Sequence, residues 1–340
     1  MEKKMRAAIF QGNGVIEHTL VPMPVIEADD EVIMKVIGCS VCGTDVHILS
    51  VPPGFYADPG IALGHEIVAD VVETGKAVKN VAVGDRIIIK PNIYCGNCYY
   101  CQENMNNHCE NMRSVGIHLM GGFAEYTKAN ERVCYRIAKT VDPDIAVFAE
   151  PLSCVLGGMK KLRPMPAESA LLIGAGPIAL IYLSILKSAG VKPIIVSEPN
   201  PQRRQMALDL GADYAVDPVS QDLTEAVKAI APRGVDFAID VVGSQMNAAI
   251  ACTRCRGTVL LFGLNTNAKP AVCQSDIVLR EINIKGTYVD DATFHETVDM
   301  LEKGVLDLKP LITHILPLEE LEKGVELLLK GEGVEVIIKP

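Results

Sequence analysis

The stretch SALLIGAGPIALIYLSILKSAG, residues 169–190, decides the fold. It opens as a continuous apolar run, as a parallel strand buried on both faces requires. The run ends in glycines. Pro177 then stands at the first position of a helix, where its missing N–H costs nothing. Residues 178–190 read as a buried helix closed by Gly190. Ser169 to Leu186 carries no charge and approaches membrane-spanning length, but Gly174, Gly176 and Pro177 would break a lipid-facing helix early. A buried strand, turn and helix is the better reading.

The pattern repeats downstream. PIIVSE (193–198) predicts a strand, PQRRQMALDLG (201–211) a helix capped by Gly211, and DYAV (213–216) a short strand. LTEAVKAIA (223–231) is helical, and VDFAIDVVG (235–243) and GTVLLFG (257–263) are strands. Strands alternating with helices imply right-handed βαβ units and a parallel sheet. Within it, Gly174-x-Gly176-x-x-Ala179 follows a strand and opens a helix, the setting of a dinucleotide fingerprint. Gly174 allows the tight turn, Gly176 lets the backbone approach a pyrophosphate at the positive helix end, and Ala179 stands where helix meets strand. Glu198 ends the next strand about 20 residues on, where a ribose-binding acid belongs. A carboxylate there favours NAD over NADP; Arg203 and Arg204 are the opposing signal.

Residues before about 150 read differently. EVIMKVIGCS (31–40), HEIVADVVETG (65–75), DRIIIKP (85–91) and ERVCYRIA (131–138) are short β-rich runs between glycines, prolines and asparagines, and predict an antiparallel β domain or partial barrel. After 285 come two amphipathic helices, FHETVDMLEKG and LEELEKGVELLLKG, and a last strand, VEVIIKP. A length of 340 residues suggests two domains. The net charge of -10 argues against nucleic acid or an anionic membrane as partner. The N-terminus has charges but no apolar segment behind them, so a cytoplasmic chain with reduced thiols is expected.

Those thiols are grouped. Cys95, Cys98, Cys101 and Cys109 fall within fifteen positions. The spacing departs from a ferredoxin run, which continues x3-Cys-Pro. Four thiolates on a short loop instead satisfy the closed tetrahedral sphere of structural zinc. Elsewhere GCSVCGTDVHI (38–48) and LGHEIV (63–68) bring together Cys42, His65 and Glu66. A thioredoxin-type pair, Cys39 and Cys42, would need to open a helix in a βαβ fold, which is not evident there. A thiolate, an imidazole and a carboxylate from separate loops make a catalytic zinc site with one open position. Glu66 shares a metal with His65 only if the backbone turns between them, because neighbours in a strand face opposite ways. FAEPLSC (148–154) adds Glu150 and Cys154.

At these residues the chain resembles the zinc-dependent medium-chain dehydrogenases, the family of alcohol, sorbitol and threonine dehydrogenases. The likeness runs through Cys-Gly-Thr-Asp-x-His (42–47), Gly-His-Glu (64–66), the four-cysteine segment, Glu-Pro-Leu-Ser (150–153), Gly-Ala-Gly-Pro (174–177) and Glu198. It implies a GroES-like β domain over 1–151 with a structural zinc lobe at 92–112. It also implies an inserted Rossmann domain over 152–287, with six parallel strands and helices on both faces, and a segment 288–340 completing the first domain. It implies two zinc ions per chain. Cys42 and His65 would bind the catalytic one, with Glu66 and Glu150 as further ligands, directly or through water. Glu150 is preferred to its rival Cys154. Thr44 and His47 resemble the proton relay. Gly174, Gly176, Pro177, Ile178, Glu198, Arg203, Phe262, Gly263, Leu264 and Tyr288 would contact NAD.

Sorbitol dehydrogenases carry an Arg–Tyr pair in the segment matching Tyr288 onward, where this chain has Val289 and Asp290. That departure turns the expectation away from sorbitol towards another polyol, a cyclitol or a sugar acid, oxidised to a ketone. L-threonine 3-dehydrogenase is the enzymatic rival. A catalytically silent zinc- and nucleotide-binding redox sensor is the alternative from another class, opposed by the joint presence of ligands and relay. The family's habit of pairing Rossmann edge strands suggests homodimers or homotetramers. His118 is a weaker pocket candidate. Cys134, Cys252, Cys255 and Cys273 are expected only to pack.

Overall fold

The computed structural model describes residues 3–290 and 292–340. The chain divides into two compact units, one of residues up to Ser153 with Asp290–Pro340, the other Cys154–Val289.

In the second unit six parallel strands lie in the order Tyr214–Val216, Ile194–Ser197, Ala170–Ile173, Val235–Asp240, Thr253–Leu261, Asn283–Gly286. The chain order reverses between Ala170–Ile173 and Val235–Asp240, the point at which such sheets hold ligands beyond their carboxyl ends. The expected helices form at Pro177–Ser188, Pro201–Asp209 and Leu223–Ile230. Asn200 caps the second by accepting the N–H groups of Gln202 and Arg203, and Asp222 caps the third through Glu225 N–H. Helices Met246–Cys252 and Gln274–Arg280 and the strand Asn283–Gly286 do not stand out in the sequence. The helices are only seven residues each, too short for a 3.6-residue period to show, and the edge strand is mostly exposed.

The first unit is built on a seven-stranded sheet. Its main path runs Cys134–Arg136, Arg86–Ile89, Glu66–Thr74, Glu31–Ser40, Glu335–Lys339, Ile312–Pro317, and Tyr126–Asn130 also pairs with Glu31–Ser40. The C-terminal strand is central, with Ile338 opposite Cys39 and Ile337 opposite Ser40. Met34, Val36, Ile67, Ala69, Ile87, Val336 and Ile338 meet in one buried cluster, each Ile or Met worth about 1.5–3 kcal/mol on burial. Two features differ from expectation. The run ERVCYRIA begins as a 3-10 turn, Glu131–Val133, because Asn130 accepts the Arg132 N–H and pulls the backbone out of the ladder. A hairpin of Lys4–Gly12 with Val15–Pro22 turns through Gly12, Asn13 and Gly14, all at positive φ.

Candidate active site

Among the described residues, two groups of His, Cys, Asp and Glu bring their ligand atoms within 4.8 Å of one another: Cys42, His65 and Glu66, and the four clustered cysteines. Gly64 makes the first group possible. Its φ is +88°, and a Cβ there would lie 2.7 Å from Cys39 Sγ. His65 therefore lies ahead of the strand Glu66–Thr74 rather than within it. The alternation that would separate the two side chains does not apply, and both donors meet Cys42.

Cys42 caps a helix, Gly43–Leu49, where the sequence suggested only a loop. Asp45 is wholly buried in its first turn. Its Oδ2 accepts the Cys42 N–H at 2.9 Å, and its Oδ1 lies 3.8 Å from His65 Nδ1. At that distance the two are not hydrogen-bonded, and the carboxylate acts on the ring through its charge. The one signal for Asp45 in the sequence is its place as the fourth residue of Cys-Gly-Thr-Asp, where an acid can reach back to a helix N-cap. Thr44 and His47 stand on the same helix three residues apart and so share a face. Thr44 is half-buried, with Oγ1 3.8 Å from Cys42 Sγ, and His47 is exposed.

The electrostatics call for a cation. Burial, then Asp45 and Glu150, push the Cys42 thiol up to about 12. Burial, then Cys42 and Glu335, raise Glu66 well above the carboxylate range. Burial opposes charge on His65, but Asp45, Glu150 and Glu66 outweigh it and raise the imidazole. Among the ion pairs of the described residues, neither Glu66 nor Asp45 has a lysine or arginine partner. As ligands Cys42 and Glu66 would be anionic, a divalent ion would supply the missing charge, and the donor set would suit zinc. Glu150, in the first turn of the helix Ala149–Leu162, acts electrostatically on all three donors but is not in their cluster. Cys154 is buried in the second unit.

In the cysteine lobe, Cys95 Sγ lies 4.0 Å from Cys101 Sγ, and Cys98 Sγ 4.0 Å from Cys109 Sγ. Four sulfurs each about 2.3 Å from one zinc would sit about 3.8 Å apart, so the cage is already sized for the ion. Backbone N–H groups of Cys95 and Asn111 point at Cys109 Sγ. Those of Asn97 and Cys98 hold Cys95 down to about 6, while burial pushes Cys101 up to about 12. Besides the cysteines, the lobe's core has only Tyr94 and Met112.

In the second unit Gly174 takes φ +106°, and a Cβ on it would meet Val241 Cγ2 at 2.9 Å. A Cβ on Gly176 would meet nothing within 4 Å. Gly176 caps the helix Pro177–Ser188 without a side-chain acceptor, leaving its first N–H groups and an open cradle for a pyrophosphate. Glu198 is buried; its Oε2 accepts the Ala175 N–H at 2.8 Å and its Oε1 the Asn200 N–H at 2.9 Å. Phe262, Gly263 and Leu264 follow the strand Thr253–Leu261, and the N–H groups of the first two bond Asp240 O. Leu264 and Tyr288 are exposed, and Ile178 and Arg203 are half-buried in the first turns of their helices.

Asp290 is not an open pocket group. Its Oδ2 lies 2.6 Å from Lys90 Nζ, with both side chains buried. His118 turns back on its own loop, Nδ1 accepting the Ser114 N–H. Cys134 and Cys252 pack as expected, but Cys255 and Cys273 are exposed, the first beside Arg256 at positive φ, the second at a helix cap.

Comparison with known proteins agrees with this geometry. The alcohol dehydrogenase GroES-like domain family matches residues 28–139, and the zinc-binding dehydrogenase family residues 177–303. D-arabinitol dehydrogenase 1 of Uromyces fabae is 32% identical over 94% of this chain and 92% of its own length. L-threonine 3-dehydrogenase of Pyrococcus abyssi is 31% identical over 90% of each. A protein of Sinorhizobium meliloti 1021 assigned as a zinc-binding dehydrogenase, solved with NADP bound, superimposes with TM-score 0.94 at 31% identity, over 99% of this chain and 100% of that one.

Proposed function

This chain belongs to the zinc-dependent medium-chain dehydrogenase family, and from that premise we propose that it oxidises a secondary alcohol of a polyol, cyclitol or sugar acid to a ketone with NAD as hydride acceptor. The observation that carries the reading is the convergence of Cys42, His65 and Glu66 beside a helix bearing Thr44 and His47. Zinc, when bound, supplies Lewis acidity towards the substrate hydroxyl, and the nicotinamide supplies the hydride acceptor. Cys42, His65 and Glu66 hold the ion, and Glu150 serves as a further ligand, directly or through water. Asp45, 3.8 Å from His65 Nδ1, adds negative charge behind the ligating ring. Thr44 takes the hydroxyl proton, and His47, exposed one turn along, passes it to solvent. Cys95, Cys98, Cys101 and Cys109 hold the structural zinc.

The relatives leave the substrate class divided between a pentitol and an amino acid. Pairing with Lys90 favours the polyol: Asp290 has no free charge to offer the ammonium group of threonine. The test is NAD reduction across polyols, inositols, aldonates and L-threonine. The proposal expects turnover on a polyol, cyclitol or sugar acid; turnover on L-threonine alone would replace it with the amino-acid reading.

Gly174, Gly176, Pro177 and Ile178 cradle the pyrophosphate, Phe262, Gly263, Leu264 and Tyr288 line the nicotinamide side, and Glu198 receives the adenosine ribose. Arg204 is held by the carbonyls of Glu198 and Pro199 and by Asp217, and the Glu198 carboxylate repels a 2′-phosphate. NAD is therefore the preferred cofactor, whatever the NADP of the Sinorhizobium protein. Glu198→Ser should raise kcat/KM with NADP relative to NAD about tenfold, the worth of one charge-assisted hydrogen bond. An unchanged ratio would remove Glu198 from this role. We place the protein in the cytoplasm as a homodimer or homotetramer; among the described residues no helix is long and apolar enough to cross a membrane.

A further inference from the structure

Glu335 is a buried carboxylate that the mechanism above leaves unused. It is 3% exposed, at the start of the C-terminal strand, and the described ion pairs give it no lysine or arginine. Its side chain accepts the hydroxyl of Ser40, itself wholly buried. The strand register explains the meeting. Ser40 stands opposite Glu66 on one side and opposite Ile337 on the other. Partners in register share a face of the sheet, and Glu335, two residues before Ile337, shares it too. Glu66, Ser40 and Glu335 thus form a short buried row whose first member is a donor of the Cys42–His65–Glu66 centre.

A carboxylate this deep is costly unless something repays it. The Ser40 hydroxyl satisfies one oxygen but supplies no charge. A cation held by Cys42, His65 and Glu66 would supply that charge. We propose that Glu335 is a positioning residue for the catalytic metal centre: through Ser40 it fixes the Glu66 end of the centre, and its negative charge makes the centre hold zinc more tightly than its three donors would alone. This rests on the reading of Cys42, His65 and Glu66 as zinc ligands. Second-layer carboxylates around metal ligands typically change affinity about 10- to 100-fold.

The experiment is zinc release from the purified full-length protein to a colorimetric chelator. The two sites of one chain serve as each other's control, because the cysteine lobe lies outside the row. Wild type should release two zinc ions per chain in two phases. Glu335→Gln keeps the shape and a hydrogen-bond acceptor for Ser40 but removes the charge. It should lower the zinc affinity of the catalytic phase at least tenfold and leave the lobe phase unchanged. Ser40→Ala, which keeps the charge and loses the link, should weaken the same phase by a smaller factor. Equal catalytic-phase affinities in Glu335→Gln and wild type overturn the proposal. If Glu335→Gln does not fold, Ser40→Ala decides alone, and an unchanged catalytic phase there overturns it. One zinc per chain in wild type would instead overturn the underlying ligand assignment.

Discussion

His65→Ala is expected to leave one zinc per chain and to lower kcat/KM for alcohol oxidation roughly a thousandfold or more. Three donors converge at this site, and removing the imidazole leaves a thiol and a carboxylate that burial already disfavours as anions. Those two, with Glu150 reaching the ion directly or through water, fall short of the donor set a catalytic ion needs. Lewis acidity towards a substrate oxygen is worth several kcal/mol, and each 1.4 kcal/mol or so is tenfold in rate, which sets the size of the loss. Asp45 also loses the partner it faces at 3.8 Å, so some fall in stability should accompany the change. Zinc in the cysteine lobe should be untouched. Atomic emission for metal content, beside initial rates, checks both arms. A variant retaining two zinc ions and more than about a tenth of wild-type kcat/KM would show that His65 is not a ligand.

The second large effect falls on stability. Cys101→Ser should empty the lobe of its zinc and lower Tm by about 10 °C. The lobe's core has the cysteines, Tyr94 and Met112 and little else, so the ion takes the place of a hydrophobic core. Zinc binding to comparable small sites contributes about 10 kcal/mol or more at neutral pH. Even a fraction of that, about 4 kcal/mol, moves the midpoint of a domain this size by roughly 8–16 °C. At low temperature the variant should still turn over substrate, because Cys42, His65 and Glu66 lie outside the lobe. Differential scanning calorimetry with rate measurements near 10 °C separates the two consequences. An unchanged Tm would mean that the four thiols hold no structural ion.

Much of this is legible in the sequence. The alternation of apolar runs and helices, the glycines of 174 and 176 and the acid at 198 carry their geometry in their spacing, because turn, cradle and strand end are local features. The cysteine lobe is equally local. What stayed hidden depends on tertiary placement. The joint action of His65 and Glu66 rests on one positive φ at Gly64. The helix under Thr44 and His47 is a single two-turn piece, too short to show a period. Asp45 becomes meaningful only when folding puts it against His65. Glu335 reads as one more residue of the last strand, VEVIIKP, and gains its interest only from a register that sets it beside Ser40, almost three hundred positions away. The pairing of Asp290 with Lys90 is similarly long-range, and it converts a residue that looked like a pocket determinant into a buried ion pair.

The central claim is that a metal at Cys42, His65 and Glu66 activates the alcohol. It is tested most directly by dialysing the wild-type protein against a chelator until one zinc per chain remains, then measuring NAD reduction before and after zinc is returned. The account predicts that activity falls in proportion to the first zinc lost and is restored when the second equivalent rebinds. Full turnover in protein whose remaining zinc is bound by the four cysteines would contradict it.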